Sequence, residues 1–289
     1  MADYFGREYL LILDKPEVGG LEIKDLRISF KINKSLVGFP NLAEISIYNL
    51  KEENRNRFKE DSKVELYAGY KNNIKLIFKG EIRNFHNEYA KPDHITHVFA
   101  GDASKTLKTA KVNKTLGKGS TTETLYNELI SNLDGVSKGV TDGLKDCITN
   151  KRSILKSIIL SGSVKKWLDL ISETCGFDYS INDNIIETVA KNKAMNDEPT
   201  LLINQNNGLI GIPEITEIGV DIQMFLRPEV KLGRTFKFNS LSTKINVGNL
   251  LFREVRKSTN NNTYRINSIE HIGDTRAKDW STSLEGMKI

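Results

Sequence analysis

Apolar and polar residues alternate through much of the first third of this chain. In "LEIKDLRISFKI", Leu26, Ile28, Phe30 and Ile32 fall on one side, and Arg27, Ser29 and Lys31 on the other. A period of two is that of a half-buried β-strand. "LAEISIYNL", with Leu42, Ile45 and Ile47, predicts another strand. The period then changes. Asn49 followed by Glu52 has the form of a capping box, and "LKEENRNRFKED" reads as a charged surface helix with only Leu50 and Phe58 to bury. Strands resume at "KVELYAGY", where Val64, Leu66, Ala68 and Tyr70 alternate, and the turn signal "KNN" joins it to "IKLIFKGEIRNF" as a hairpin. "HITHVFAGD" closes the region. Residues 1–103 read as an antiparallel β domain with one short helix on its flank.

The middle of the chain follows a different period. "SKTLKTAKVNKTLGKGS" is polar and reads as irregular. Ser120 and Glu123 form a second capping-box pattern ahead of "TETLYNELISNL", where Leu125, Leu129, Ile130 and Leu133 recur at helical spacing. Ser163 caps "VKKWLDLISETC", whose Val164, Trp167, Leu168, Ile171 and Cys175 share a face, and Gly176 stands where a left-handed stop is common. "FDYSINDNIIETV" reads as a small hairpin turning at Asn182–Asn184. Residues 104–199 therefore form an α+β unit, ending in the polar "KNKAMNDEP".

Strands return over residues 200–289. "VDIQMFL" alternates Ile222, Met224 and Leu226 until Arg227–Pro228, and proline cannot donate to a ladder. "TFKF" is a short strand. "NLLFREVRKSTNNNTYRINSIEHIGD" reads as a long hairpin turning at Thr259–Thr263, and "TRAKDWSTSLEGMKI" as a final strand or extended tail. The fold class is α+β, mainly β, in the order β domain, α+β domain, β domain.

Charge and composition narrow the function classes. The chain of 289 residues is 38% hydrophobic and 27% charged, ample for packed cores. Its net charge of +5 is spread in short doublets such as Lys151–Arg152 and Lys165–Lys166, not gathered in the patch that marks nucleic-acid binders. The start lacks the apolar core of a signal peptide, and no run approaches a membrane span, so no membrane insertion by this chain is expected. Cys147 and Cys175 fit no metal or redox spacing. Cys175, on an apolar helix face, reads as a buried thiol in a protein made in a reducing cytoplasm.

Candidate chemistry is sparse. His94 and His97, three apart on a strand, point to opposite faces and make poor joint metal ligands. No zinc-protease motif, phosphate-cradling loop, dinucleotide fingerprint or nucleophile elbow is present. The carboxylates Glu173, Asp178, Glu214 and Glu217 could in principle serve a glycosidase, but the sequence does not set any two across a substrate, and surface charge is the simpler reading. No catalytic residue, cofactor or metal is expected. The glycine and proline of "GLIGIPEITEIGVDIQMFLRPEVKLGRTFKF" serve β architecture, which suits a structural protein.

Several ordered motifs resemble contractile-tail bacteriophage baseplate hub proteins, a family related to the hub part of type VI secretion spike proteins. "LAEISIYNLKEENRNRFKEDSKVELYAGY" with "LIFKGEI" is similar to the family's N-terminal domain at Ile47, Tyr48, Asn49, Leu50, Tyr67, Gly69, Gly80 and Ile82. Gly208, Gly211, Pro213, Leu226, Pro228 and Gly233 resemble its "G-x-x-G-x-P … L-x-P-x-x-x-x-G" pattern. Gly273, Asp274 and Trp280 match its closing strand pair. The resemblance implies two tail-tube-like antiparallel β-barrel or sandwich domains, about 1–103 and 200–289, with the middle domain on the outer side and segments free to interleave. It implies a homotrimer that joins the tail tube protein to a central spike protein, contacts other baseplate proteins and lets genome DNA pass non-specifically. Spike and lysozyme-like segments are expected on separate proteins. The protein would be made in the host bacterial cytoplasm and work in the virion. Two other readings remain open: a tail-associated glycan-binding or cell-wall-degrading protein, and a tube or distal-tail adaptor of a noncontractile tail.

Overall fold

The computed structural model describes residues 5–14, 20–36, 41–102, 104–149, 157–216, 218–240, 242, 244–245 and 262–289. The alternating segments of the first third form β1 (Arg7–Leu13), β2 (Leu21–Ile23), β3 (Ile28–Ser35), β4 (Leu42–Tyr48), β5 (Lys63–Tyr70), β6 (Asn73–Ala90) and β7 (Asp93–Gly101). Ile28, Phe30 and Ile32 are buried, as are Val64, Leu66, Ala68 and Tyr70, so the period of two chose the inward face correctly. "LEIKDLRISFKI" is not one strand, however. The chain bends at Lys24–Arg27, between β2, which pairs with β1, and β3, which pairs with β4.

The flanking helix α1 (Glu52–Arg55) is a single turn, and Lys51, not Asn49, precedes it. Asn49 cannot cap it. Its backbone is left-handed (φ 58°), and its side chain is engaged with Asp93 Oδ1 (2.7 Å) and the His94 N–H (3.1 Å) at the β6–β7 hairpin. Leu50 and Phe58 are buried as expected.

The middle region holds α2 (Ser104–Thr109), β8 (Lys111–Leu116), α3 (Thr122–Ser131), β9 (Ser137–Thr141), α4 (Asp142–Thr149), β10 (Ile158–Ser163), α5 (Val164–Cys175), β11 (Phe177–Asn182) and β12 (Ile185–Ala190). The polar stretch expected to be irregular is thus α2 and β8. Val112 and Leu116, four apart on β8, are its buried anchors, and the exposed Lys114 between them breaks the apolar alternation. Thr121, not Ser120, caps α3, its hydroxyl accepting from the Thr124 N–H at 3.1 Å, while Ser120 turns back to Gly117 O. α5 begins after Ser163, although that hydroxyl makes no capping bond, and stops at Gly176 in the left-handed region. β11 and β12 form the expected hairpin, with Asp183 and Asn184 both at positive φ in the turn.

The cysteines correct the sequence reading. Cys147 and Cys175 form a disulfide between α4 and α5. Neither is a free thiol. Spacing along the chain could not show this, because packing of two helices brings them together.

The last third contributes β13 (Leu201–Asn204), β14 (Leu209–Ile215), β15 (Gly219–Phe225), β16 (Thr235–Asn239), β17 (Lys244–Ile245), β18 (Tyr264–Asp274) and β19 (Trp280–Lys288). The first strand of the expected asparagine-rich hairpin, and most of its turn, lie outside the described residues. Its second strand is β18, which pairs with β19, so the closing segment is a strand and not a tail. The α+β, mainly β class expected from the sequence stands.

Fourteen strands share one sheet, in the order β17-β14-β15-β19-β18-β3-β4-β7-β6-β5-β1-β2, with β16 on β18 and β13 on β16. Side chains from all of β1–β7 meet in one apolar cluster, so this half of the sheet curls over its core. A second cluster gathers β13–β16, β18 and β19, and a third lies among the middle helices and β8, β10, β11 and β12. The clusters borrow across the chain: Leu226 and Trp280 join the first, and Leu36 and Val189 the second. Among the described residues no helix is long and apolar enough to cross a membrane.

Candidate functional site at the junction of three cores

The joint between the two sheet halves is β3 on β18, paired from Ser35↔Ser268 to Ser29↔Asp274. It makes eight successive strands, β14-β15-β19-β18-β3-β4-β7-β6, continuous. One face of this wall covers the first two cores. Register places the residues of the other face in rows. One row runs Glu214, Asp221, Glu285, Ser268, Ser35. The next runs Gln223, Ser283, Glu270, Asn33, Leu42. A third runs Phe225, Ser281, Ile272, Lys31, Glu44, Phe99, Asn84. The face is polar with an acidic excess. Lys31 pairs with Glu270 at 2.9 Å. Partial burial, with Glu285 and Glu214 alongside, raises the Asp221 carboxyl above its usual range.

The seam is tied at one end by Asp274. It accepts from Arg27 Nη2 at 2.8 Å and Nε at 3.3 Å, and from the N–H groups of Arg276 and Ala277. Burial pushes its carboxyl up, but these hydrogen bonds and the Arg27 charge more than offset that, so it lies below the usual carboxylate range. Arg27 also stacks on Tyr48, 4.3 Å from the ring centre. Trp280 meets Phe30 edge-on at 5.4 Å. A Cβ on Gly273 would stand 2.3 Å from Phe30 and 2.9 Å from Trp280, so only glycine lets these rings close over the strand. Arg7 of β1 reaches Asp274 O at 3.0 Å and Lys278 O at 2.9 Å. The two ends of the chain are thereby clasped.

The β11–β12 hairpin of the middle region is held against both halves by buried charge. Lys34 of β3, 8% exposed, pairs with both oxygens of Asp183 at 3.0 and 2.8 Å. Arg234 pairs with Glu187 (2.6 and 2.8 Å) and with Asp197 (2.6 Å). Burial alone would lower the Arg234 pKa, but these carboxylates raise it above its ordinary value. Arg265 lies 3.5 Å from Asp178 and donates to Lys193 O at 3.1 Å. His271, buried beside Lys34 and bonded to Thr282 Oγ1 at 2.8 Å, is pushed down to about 3 by burial and by that lysine's charge, so its ring stays neutral at physiological pH.

Of the positions singled out by sequence, Tyr48, Gly273, Asp274 and Trp280 come together at the seam. The others serve separate turns and close approaches. Asn49 pins the β6–β7 hairpin, and Leu50 fills the first core. Gly69 and Gly80 sit where a Cβ would strike the backbone of Asn73 and Gly101. Gly211 (φ 69°) and the buried Pro213 lie between Ile210 and Glu214, where pairing of β14 with β15 is interrupted. Left-handed backbone and a missing N–H donor suit such a bulge. Pro228 follows β15, and Gly233 lies against Met195. The motif reading missed Arg7, Arg27, Lys34, Asp102, Asp183, Arg234 and Arg265. One signal was available: Lys34 occupies the next inward position after Ile28, Phe30 and Ile32, and a charge there demands a buried partner.

A cleft of about 1000 Å³ opens where the three parts meet, lined by Glu65, Lys79, Asp134, Asp183, Glu198 and Lys231 among others. Two pairs of its charges meet each other, Lys79 with Glu65 at 2.8 Å and Lys231 with Glu198. Among the described residues that line it, none is aromatic. Among the described residues, no group of histidine, cysteine and carboxylate side chains could hold a metal.

Residues 13–248 match the family described as "Baseplate hub gp41". No curated protein matches the chain in sequence. In structure, the chain is similar to a tail protein from Neisseria meningitidis, with TM-score 0.63, 10% identity and coverage of 99% of this chain and 97% of that one. A 43 kDa tail protein of prophage MuSo2 from Shewanella oneidensis gives TM-score 0.62 and 9% identity, covering 98% and 97%. The Escherichia coli c3393 protein gives TM-score 0.54 and 8% identity, covering 91% and 73%. That protein is described as a type VI secretion component with structural similarity to T4 bacteriophage tail proteins gp27 and gp5. These likenesses establish the shared fold.

Proposed function

We propose that this chain, which belongs to the baseplate hub gp41 family, is the structural hub of a contractile phage tail, a homotrimeric ring joining the hexameric tail tube to the trimeric central spike. The observation that carries this reading is the uninterrupted eight-stranded wall. Four of its strands come from the first half (β3, β4, β7, β6) and four from the second (β14, β15, β19, β18). Residues 1–103 and 200–289 are then two tube-like units, and 104–199 a middle domain on the outer side. Three copies present six similar units, which match six tube subunits above, while the true symmetry remains threefold for the spike below.

Edge chemistry supports closure. Among the described residues, β6 beyond Arg83 pairs with β7 alone, and β14 at Leu209–Ile210 pairs with β15 alone. Open edges invite pairing with another chain, and a closed barrel removes them. In such a ring the polar face turns inward as part of the DNA channel. Its acidic excess suits passage, because rows of basic residues would accumulate phosphate contacts and hold the genome. The role is that of a connector and not a catalyst, and its place of work is the virion tail.

Light scattering tests the proposal. A particle of three times 32.6 kDa is expected. A stable hexamer would overturn the hub reading in favour of a tube or distal-tail adaptor.

A further inference from the structure

Where the middle hairpin meets the first half, one carboxyl stands apart. Asp102, which follows β7, is 2% exposed. Its Oδ2 accepts from Asn41 Nδ2 at 2.9 Å and from the Asp183 N–H at 2.7 Å. Its Oδ1 is buried and has no hydrogen-bond partner among the described residues. The same Asn41 amide also donates to Ile181 O and Asn182 Oδ1, and Asp183 Oδ1 accepts from the Lys79 N–H at 3.0 Å. Asp102 is therefore a keystone between β3, β6, β7 and the β11–β12 turn.

The charges around it do not balance. Asp183 faces it from the turn, and Lys34 from β3 is the nearby cation, yet both oxygens of Asp183 already engage Lys34. His271 on β18 lies beside the same lysine and is neutral. The Arg83 guanidinium on β6 packs over Gly101, where a Cβ would stand 2.1 Å from it, and has contacts of its own. Two carboxylates thus share one lysine, and a proton on the buried Asp102 removes the excess negative charge.

We propose that Asp102 is a proton-linked clasp, protonated when the middle hairpin docks on the first half and weakening that docking when it ionises. The proton occupies the orphaned Oδ1, while Oδ2 keeps its two bonds. Burial, with Asp183 next, lifts the Asp102 carboxyl to about 7, against 3.8 for the free group. The folded state therefore holds a proton that the unfolded chain has released. Stability from this group is fully present below the unfolded value and is lost as pH rises through about 7. The clasp is a property of the single chain and holds whether or not the ring reading does.

The test compares the full chain with Asp102→Asn between pH 5 and 8.5 by thermal unfolding, and by hydrogen exchange at the Lys79 and Asp183 amides. Wild type should lose at least about tenfold in its folding constant across neutrality relative to the variant, since each unit of pKa difference is tenfold. Its Lys79 and Asp183 amides should lose protection in step. Should Asp102→Asn fail to fold, Asp183→Asn should move the transition to lower pH by removing the facing carboxylate. Parallel pH profiles for wild type and Asp102→Asn, or an Asp102 carboxyl that titrates near 4 by carbon NMR, would overturn the proposal.

Discussion

The two halves of the wall reach the same strand architecture with different interiors. The first, β1–β7, encloses an almost wholly apolar core in which Leu66, Phe78 and Ile82 are fully buried. The second, β13–β19, buries Arg234, Arg265 and His271 near Phe236 and Tyr264. The first half is filled mostly by its own alternating strands, with Leu226 and Trp280 added from the second. The second takes in Val189 and Met195 from the connection to the middle region and draws Glu187, Asp197 and Asp178 toward its arginines. Apolar burial supplies cohesion without direction, whereas paired buried charges fix which surfaces meet, because a wrong docking leaves them unpaired. Both halves meet the middle hairpin through charge, the first through Lys34 and Asp102, the second through Arg234 and Arg265 set beside its core.

A matched pair of substitutions should separate the two interiors with the largest effects. Phe78→Ala in the first half and Arg234→Ala in the second should each cost about 3–5 kcal/mol in denaturant unfolding, the one by cavity and the other by stranding buried carboxylates. The repairs differ. Phe78→Leu should recover much of the first loss, since volume is what matters there. Arg234→Met should be repaired only when Glu187→Leu and Asp197→Asn are added, because the whole charged group is then gone. If Arg234→Met alone were as stable as wild type, the second core would be no different in kind from the first.

The seam that joins the halves should give the next largest effect. Arg27→Gln removes a charge-assisted pair that is partly exposed on the arginine side, a loss of about 1–2 kcal/mol. It should also alter the acid limb of stability. The folded Asp274 carboxyl is depressed, so its contribution is present above the unfolded value and is lost as pH falls through the folded one. Without Arg27 the folded value moves up toward the unfolded one, so the loss should be smaller and complete at higher pH. An unchanged acid limb would mean that the Arg276 and Ala277 amides alone hold the carboxylate.

Gly211→Ala probes the bulge of β14. Nothing stands within 4 Å of a Cβ there, so only the left-handed backbone resists, and the cost should be about 1–2 kcal/mol in thermal unfolding. Lys31→Gln on the exposed polar face should change stability least, by less than about 1 kcal/mol, because its pair with Glu270 is solvent-screened.

These contrasts explain what was legible in the sequence. The first half was, because Val64, Leu66, Ala68 and Tyr70 announce an inward face by local period. So were α5 and the β11–β12 turn, where Gly176, Asp183 and Asn184 carry backbone signals of their own. The polar α2–β8 segment was not, since its two anchors are outnumbered by lysines. The seam was half legible: Tyr48, Gly273, Asp274 and Trp280 were marked by resemblance, but their partners Arg27 and Arg7 lie more than half the chain away from Asp274 and carry no local sign. The Cys147–Cys175 bond and the Asp102 node depend on packing between elements, which no period encodes.

In the proposed threefold ring, one continuous wall supplies two of six similar units, and electron microscopy of the purified assembly is the direct test. A closed ring of three copies with six alternating lobes is expected, in which the face bearing Asp221, Glu270 and Glu44 surrounds an open channel. A ring in which that face is turned outward, or in which six copies each contribute a single lobe, would contradict it.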